Sequence, residues 1–514
     1  MQFLVNAAQM KSYDRNTIEN IGISSLVLME RAAVATVEEI RGRFPKISRR
    51  ENGKERKISV LVVAGCGNNG GDSLAIGRIL MEYGYEVSFV LIGNQEKCSR
   101  ETAVQIQILG HMGVSIKSDL PAQIEEGVDR RRKNWDIVID GLFGIGLSRE
   151  ITGIFAQAVE YMNQSGAYIV SVDISSGIHT DTGVVMGTAV RADLTVTYGY
   201  EKLGQIFYPG AEYTGELVCK KIGISYREGL EKPAAFIYDR GDLTRLPVRK
   251  TDGNKGSFGK VFVIAGSQEM YGACQFAALG AYRTGAGLVR ILTARSNREL
   301  LFSAVPEAIV DTYETEFPGE AIEAGLAWAD CVVIGPGMGK GPLACQMMKY
   351  VWEQCRAPLI VDADGLNILA AWPESVSVKA GREIYFTPHM GEFSRLTKKS
   401  IKCCKEERIP TVKEYALTVG AIVVSKDART VIGDSEGEIY INTSGDNGMA
   451  TGGSGDVLAG ILAGLVAQGM KGMEAACMAV YVHGLAGNAA SGKKSAYSVM
   501  AGDLLEMLPE IFML

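Results

Sequence analysis

Residues 442–463 read NTSGDNGMATGGSGDVLAGILA, and the change of character inside that string decides the fold of the second half of the chain. Five glycines fall between 442 and 456, and the apolar run Val457-Leu458-Ala459-Gly460-Ile461-Leu462 follows at once. The glycines argue against regular structure up to 455, whereas the apolar run is long enough to open a buried helix. Gly452, Gly453 and Gly455 are expected at positive φ. That conformation lets a polyanion approach the main chain while the unbonded N–H groups of the new helix point at it. Asp456 falls where a carboxylate faces a hydroxyl attacking a phosphoryl group and can take its proton. The alternative offered by the residues alone is a capping aspartate behind a surface loop.

Upstream, short strand-like runs alternate with helical patterns. Val261-Phe262-Val263-Ile264, Gly287-Leu288-Val289-Arg290-Ile291-Leu292, Cys331-Val332-Val333-Ile334, Leu359-Ile360-Val361 and Tyr385-Phe386 read as strands, and an alanine-rich helix follows Tyr271-Gly272-Ala273-Cys274. This alternation predicts an α/β fold with a largely parallel sheet and helices on both faces. The first half repeats the logic with a different sequence. Ile58-Ser59-Val60-Leu61-Val62-Val63-Ala64 reads as a strand covered on both faces and ends in the glycine-rich loop Gly65-Cys66-Gly67-Asn68-Asn69-Gly70-Gly71-Asp72. A helix from Leu74 to Tyr83 and a strand from Glu86 to Ile92 complete a βαβ unit with that loop at its binding edge. Residues 14–42 read as one helix capped by Asp14 or Asn16, with Leu26, Val27, Leu28, Met29 and Ala32 on its apolar face. Later strands bring Asp140 and Asp173 to their ends, and Asp181 follows, so three acids are expected in a shared cleft. Asn68, Asn69 and Asp72 offer directional groups for a polar ligand and a monovalent cation, or for one another.

The pattern weakens through residues 227–233, which divides the chain into domains of 1–226 and 236–514. No repeat links them. A length of 514 residues exceeds one ordinary core, and 47% hydrophobic with 22% charged residues describes a globular chain rather than a disordered one. A net charge of -6 argues against nucleic acid as a partner, and the basic cluster Arg130-Arg131-Arg132-Lys133 reads as solvated. No stretch has the form of a secretory signal or a membrane span. Ten cysteines without a CxxC pair suit a reducing cytoplasm. His111, His179, His389 and His483 are too dispersed for zinc.

The string NNGGD, with DIVIDGLFGIGLSRE at 136–150 and YIVSVDISSG at 168–177, resembles the YjeF N-terminal domain family, the NAD(P)H-hydrate epimerases. The resemblance implies a Rossmann-like three-layer domain and a potassium site at Asn69, Asp140 and Ser176. It also implies contacts to hydrated nicotinamide nucleotide, NADHX or NADPHX, from Asn68, Asn69, Gly70, Gly71 and Asp72, from Gly144, Ile145, Gly146, Leu147, Ser148, Arg149 and Glu150, and from Asp173. Asp173 is the expected catalytic base, because a carboxylate can move a proton and stabilise a cation as the ring hydroxyl leaves and returns. A turn-capping role is its alternative. Ser73 and Ser175 depart from the family's glycine and proline and are expected to loosen their loops.

VIAGS, GPGMG, VDADGLN, TPHMGE, GMATGGSGD and AGDLLEMLP occur in the order found in the ADP-dependent NAD(P)H-hydrate dehydratases, a branch of the ribokinase-like fold, and span nearly all of residues 250–514. That resemblance assigns Ala273, Gly337, His389 and Asp456 to the hydrated nucleotide. It assigns Lys426, Asp427, Ala428, Arg429, Thr430 and Gly455 to ADP or AMP. Magnesium is expected with the nucleotide. Asn254, Met390 and Asp427 depart from the pattern, and Asp427 places a negative charge beside the nucleotide. The two resemblances together imply a bifunctional isomerase and lyase, cytoplasmic and homo-oligomeric, that epimerises R and S hydrates and dehydrates the S form at the expense of ADP, giving AMP and phosphate. The rivals are a ribokinase-like small-molecule kinase with a non-catalytic ligand-binding first domain, or a first domain that serves as a scaffold.

Overall fold

The computed structural model describes residues 1–51, 54–120, 135–372 and 382–513. The basic cluster at 130–133 lies outside the described residues. The chain divides into two compact units, Phe3–Ala234 and Ala235–Leu514, the second including Met1–Gln2.

The first unit is built on a seven-stranded sheet, in spatial order Glu216–Lys220, Leu194–Tyr198, Tyr168–Val172, Ile137–Gly141, Ser59–Ala64, Glu86–Leu91 and Ile116–Lys117. Every pairing in it is parallel. All six residues of Ser59–Ala64 are buried, and their alternation feeds two cores. Val60, Val62 and Ala64 pack with the helices Ser25–Arg43 and Asn68–Glu82. Leu61 and Val63 pack with Ala158, Val159 and Met162 of the helix Gly153–Gln164. This is why the run carries no polar alternation: a strand between two helical layers has no solvent face. The chain runs outward from Ser59–Ala64 to one edge and then returns to its other side at Ile137–Gly141. The order reverses between these two strands, and such a reversal opens a crevice at their C-terminal ends.

Two local expectations are corrected. Residues 14–42 form two helices, Ala7–Glu19 and Ser25–Arg43, because Gly22 adopts a left-handed φ of 86° and Ser24 caps the second helix. Asn6 caps the first, so Asp14 sits in mid-helix. Asn68 to Asp72 are the first turn of the helix Asn68–Glu82 rather than loop, so only Gly65–Gly67 turns the chain.

The sheet of the second unit runs Ala235–Ile237, Ile439–Ile441, Val431–Gly433, Ile422–Ser425, Ile384–Phe386, Leu359–Val361, Cys331–Ile334, Lys260–Ile264, Leu288–Ala294 and Ile309–Tyr313. Pairing is parallel from Ile422–Ser425 through Ile309–Tyr313 and antiparallel on both sides of Val431–Gly433. The helices Tyr271–Arg283, Ser454–Ala467, Gly472–Lys494 and Ala501–Ile511 share one core with Val261, Val263, Val289 and Val333. On the opposite face Gly325 abuts Phe262, and Trp352 stacks on Phe386 at 6.2 Å. Both units are thus three-layer α/β structures.

The helix Ser454–Ala467 is almost wholly buried from Val457 to Val466 and lies against Tyr271–Arg283 at backbone contact. A Cβ on Gly460 would sit 2.1 Å from the Ala277 carbonyl oxygen, and one on Gly280 would sit 2.7 Å from that of Val457. These positions are glycine because the two helix backbones touch there. Gly460→Ala is therefore expected to destabilise the second unit by about 1–3 kcal/mol, read as a lowered melting temperature. An unchanged melt would show that the helices separate at little cost.

Candidate active sites

In the first unit the crevice is lined from both sides of the strand reversal. Asn69 donates its amide from Nδ2 to the Phe143 carbonyl at 2.9 Å, and Gly144 lies against the Asn69 side chain. Asp140, fully buried, accepts from Ser176 Oγ at 2.6 Å, Ser176 N at 2.9 Å, Ser171 Oγ at 2.7 Å and Leu142 N at 3.2 Å. Burial raises its carboxyl above the usual range, while the bonds from Ser176 and Ser171 oppose the shift. Ser176 Oγ also accepts from Phe143 N at 2.8 Å and lies 3.2 Å from the Phe143 carbonyl. Asn69, Asp140 and Ser176 therefore converge on the turn at Phe143. Ser148, Arg149 and Glu150 are exposed at the rim.

Asp173 ends the strand Tyr168–Val172 with φ of 65°, a conformation unfavourable for a residue with a Cβ. Its Oδ1 accepts from Lys202 Nζ, from Thr197 Oγ1 at 3.0 Å and from Tyr198 N at 3.3 Å. Lys202 is fully buried. Around this pair lie two further carboxyls. Asp72 is held well above the usual carboxylate range by burial and then by the charges of Asp173 and Asp14. Asp14 is raised by burial and then by Asp173 and Glu101. Asp181 is not part of the group, because its Oδ1 accepts from Ala7 N at 2.7 Å and so serves a helix start.

In the second unit Gly453, at φ of 90°, turns the chain into the helix Ser454–Ala467 and places Asp456 in its first turn. Gly452 and Gly455 do not share that positive φ: the turn needs one left-handed residue rather than three, and Gly455 is already helical. A Cβ at Gly455 would lie 3.2 Å from Lys426 Nζ, a tight contact from which the ammonium would have to shift. Asp456, Ala273, Gly337, Asp364, Asn367 and Glu392 line a cleft of about 430 Å³ with Met270 and Phe276 as apolar wall. Burial first, and then the charge of Asp362, push the Asp456 carboxyl up to about 7. Glu392 is raised by burial. Lys426 donates to Asp362 at 2.8 Å; burial opposes its charge, but Asp362 and Glu392 outweigh that and hold the ammonium above its ordinary value.

His389 caps the helix Met390–Thr397, its Nδ1 accepting from Gly391 N at 2.9 Å. Burial, Lys426 and Arg395 lower its basicity, so the ring is neutral near pH 7 and has Nε2 to offer as a donor. It stands beside Glu392, which forms the cleft wall in its place. The Asp427 charge is neutralised by an ion pair with Arg408, with Lys405 at 3.7 Å. Arg408 also donates to the Arg429 carbonyl at 3.0 Å, and Thr430 is buried with its Oγ1 3.3 Å from the Asp427 carbonyl. The charge expected to oppose a nucleotide at Asp427 is thus already balanced by a residue 19 positions upstream. Ala428 is exposed.

The NAD(P)H-hydrate dehydratase family model matches residues 261–510, and that of the YjeF-related protein N-terminus matches residues 25–204. A bifunctional NAD(P)H-hydrate repair enzyme of Thermofilum pendens is 35% identical over 514 residues, covering 99% of this chain and 95% of that protein. The chain belongs to the bifunctional NAD(P)H-hydrate repair enzymes. Among solved structures, a ribokinase-like superfamily protein of Enterococcus faecalis has 30% identity and a TM-score of 0.50, covering 55% of this chain and 97% of that one. An ADP/ATP-dependent NAD(P)H-hydrate dehydratase of Bacillus subtilis has 26% identity and a TM-score of 0.47, over 54% and 97% of the respective chains.

Within this repair enzyme, several residues that shape the sites were not picked out from sequence. Lys202, Gln205 and Arg408 reach their partners only through tertiary contact. Asp14 has the sequence signature of a cap, which hides its place beside Asp173. Asp362 and Glu392 lay inside VDADGLN and TPHMGE, so their motifs marked the place without a role. At the departures Ser73 and Ser175 the new hydroxyls are tied to the main chain. Ser73 Oγ donates to the Gly70 carbonyl at 2.8 Å, and Ser175 Oγ donates to that of Tyr213 at 2.9 Å. Asn254 closes an exposed turn by accepting from Gly256 N at 2.9 Å, and Met390 is buried.

The raised Asp456 carboxyl has a thermodynamic consequence. A carboxyl at 3.8 when unfolded and about 7 when folded binds its proton more tightly in the native state, so ionisation penalises the fold as pH rises from about 4 to about 7. Asp456→Asn removes that penalty. Its melting temperature relative to the parent is expected to be higher at pH 8.5 than at pH 5, and an equal difference at both values would contradict the burial argument.

Proposed function

We propose that the two units act in series on hydrated nicotinamide nucleotides, the first exchanging the R and S epimers of NADHX or NADPHX and the second dehydrating the S form with ADP. The observation that carries this reading is the placement of Asp456, with its carboxyl raised to about 7, in the first turn of a helix that opens on a cleft. A base poised near working pH is suited to general-base catalysis. First-turn N–H groups stabilise the charge on a transferred phosphoryl group.

In the second unit Asp456 takes the proton of the ring hydroxyl, whose oxygen attacks the β-phosphorus of ADP. The bond from that phosphorus to the bridging oxygen breaks, and AMP leaves. The ring nitrogen then drives phosphate from the carbon, a far better leaving group than hydroxide, and loss of a ring proton gives the dihydronicotinamide. Lys426 and the helix terminus balance charge during transfer. Among the described residues no three His, Cys, Asp or Glu side chains form a metal cage. Magnesium, entering with the nucleotide, would supply charge neutralisation during transfer beside Lys426.

In the first unit the ring hydroxyl departs as water, its extra proton supplied by the raised Asp72 carboxyl, and Asp173 takes a proton from that water as it re-adds to either face of the iminium-like species, the proton then returning to Asp72. The buried Asp140 carboxylate has no cationic side chain paired with it among the described residues. Asp140, the Ser176 hydroxyl, the Asn69 amide oxygen and the Phe143 carbonyl form a hard oxygen set that fits potassium, which would fix the turn at Phe143.

The assay is purified protein with mixed NADHX epimers, ADP and potassium, following recovery of the dihydronicotinamide absorbance. The parent is expected to recover all of it. Asp456→Asn abolishes recovery but leaves epimer exchange intact, whereas Asp173→Asn stops recovery near half. Parent-like rates in either variant would remove that residue from its role, and no recovery by the parent would point to a different hydroxylated substrate.

A further inference from the structure

We infer that Lys202 and Gln205 are positioning residues of the epimerase reaction, clamping Asp173 so that one carboxylate oxygen is fixed in the protein and the other is presented to substrate. The inference rests on the reading of Asp173 as the base. Lys202 Nζ is fully buried and has three acceptors: Asp173 Oδ1, Thr197 Oγ1 at 2.7 Å and the Tyr198 carbonyl at 3.2 Å. An ammonium has three hydrogens, so every one is used and its direction is set. Oδ1 in turn receives Lys202, Thr197 and Tyr198 N. Among the described residues no hydrogen bond reaches Oδ2. The carboxylate is therefore engaged on one oxygen and free on the other.

The main chain is held as well. Asp173 stands in a left-handed conformation that a residue with a Cβ adopts only when its surroundings enforce it. Gln205 Nε2 donates to the Asp173 carbonyl at 2.7 Å, and the same side chain accepts from Lys202 N at 2.7 Å through Oε1. Asp173 N donates to the Val196 carbonyl at 2.8 Å. Residues 202–206, a single helical turn beyond the strand Leu194–Tyr198, thus hold both the side chain and the backbone of a residue about thirty positions earlier. A buried lysine carries a large desolvation cost, and its fully bonded pairing with one carboxylate offsets it.

The test measures epimer exchange in the full chain, with ADP-dependent recovery from the S epimer as the control for the second unit. Lys202→Met keeps the length of the side chain and removes its charge and donors. Its kcat for exchange is expected to fall roughly a hundredfold, with KM within about threefold because the substrate-contacting groups remain. The double variant with Asp173→Asn falls no further than Asp173→Asn alone, since both changes act through one carboxylate. Should Lys202→Met fail to fold, Gln205→Met, which frees the Asp173 carbonyl and the Lys202 N–H but leaves the Lys202 ammonium, is expected to lower kcat about tenfold with the same lack of additivity. The proposal is overturned if Asp173→Asn is inactive while the folded positioning variant exchanges epimers at the parent rate, or if the losses multiply in the double variant. If Asp173→Asn itself runs at the parent rate, the assignment of the base fails instead.

Discussion

The backbone contact between the helices Ser454–Ala467 and Tyr271–Arg283 is the constraint on which the second unit's chemistry depends. Two helices that touch through glycine and alanine cannot rotate or slide without collision, so the direction of the first-turn N–H groups and of Asp456 is set by packing a turn or two away. A dispersed apolar interface of larger side chains would hold the helix in the core but allow it to shift. Precision of that order matters for phosphoryl transfer, where catalysis is mostly positioning and charge stabilisation. His483 adds to the same anchorage. Buried beneath the helix start with its ring nitrogen 3.3 Å from Ser454 Oγ, it is pushed down to about 4 by burial and so contributes a neutral contact rather than a competing cation.

The two units, unrelated in sequence, solve one electrostatic problem in a similar way. Each sets a buried or largely buried lysine against one carboxylate, Lys202 with Asp173 and Lys426 with Asp362. Each leaves a neighbouring carboxyl, Asp72 or Asp456, raised by burial and by the charge of that partner. Each unit thus sets a carboxyl raised by burial next to an acid already paired with a lysine. On the proposed function the two units differ in what the paired acid does: in the first it would be the base itself, and in the second it would tune the base.

Much of the fold could be read from short strings, because buried parallel strands and glycine turns are local in sequence. The run from Ile58 to Asp72 contained both the central strand and the crevice, and GGSGDVLAG contained both the anion loop and the helix behind it. The local differences come from single residues: Gly22 breaks a helix that apolar periodicity alone continues, and of Gly452, Gly453 and Gly455 only Gly453 takes the left-handed turn. What could not be read is pairing at a distance. Nothing near Lys202 announces Asp173, and nothing near Asp427 announces Arg408, which turns an apparent obstacle to nucleotide binding into a neutral wall. The resemblance to known families supplied places for ligands but not these partners.

On the proposed function, Asp456 and the first turn of its helix form one phosphoryl-transfer site. A crystal structure of the protein with ADP and magnesium measures it most directly. The β-phosphate is expected on the N–H groups of residues 453–456, with the Asp456 carboxylate facing it across a gap wide enough for one hydroxyl. A β-phosphate bound away from that turn, with the nucleotide otherwise ordered, would contradict it.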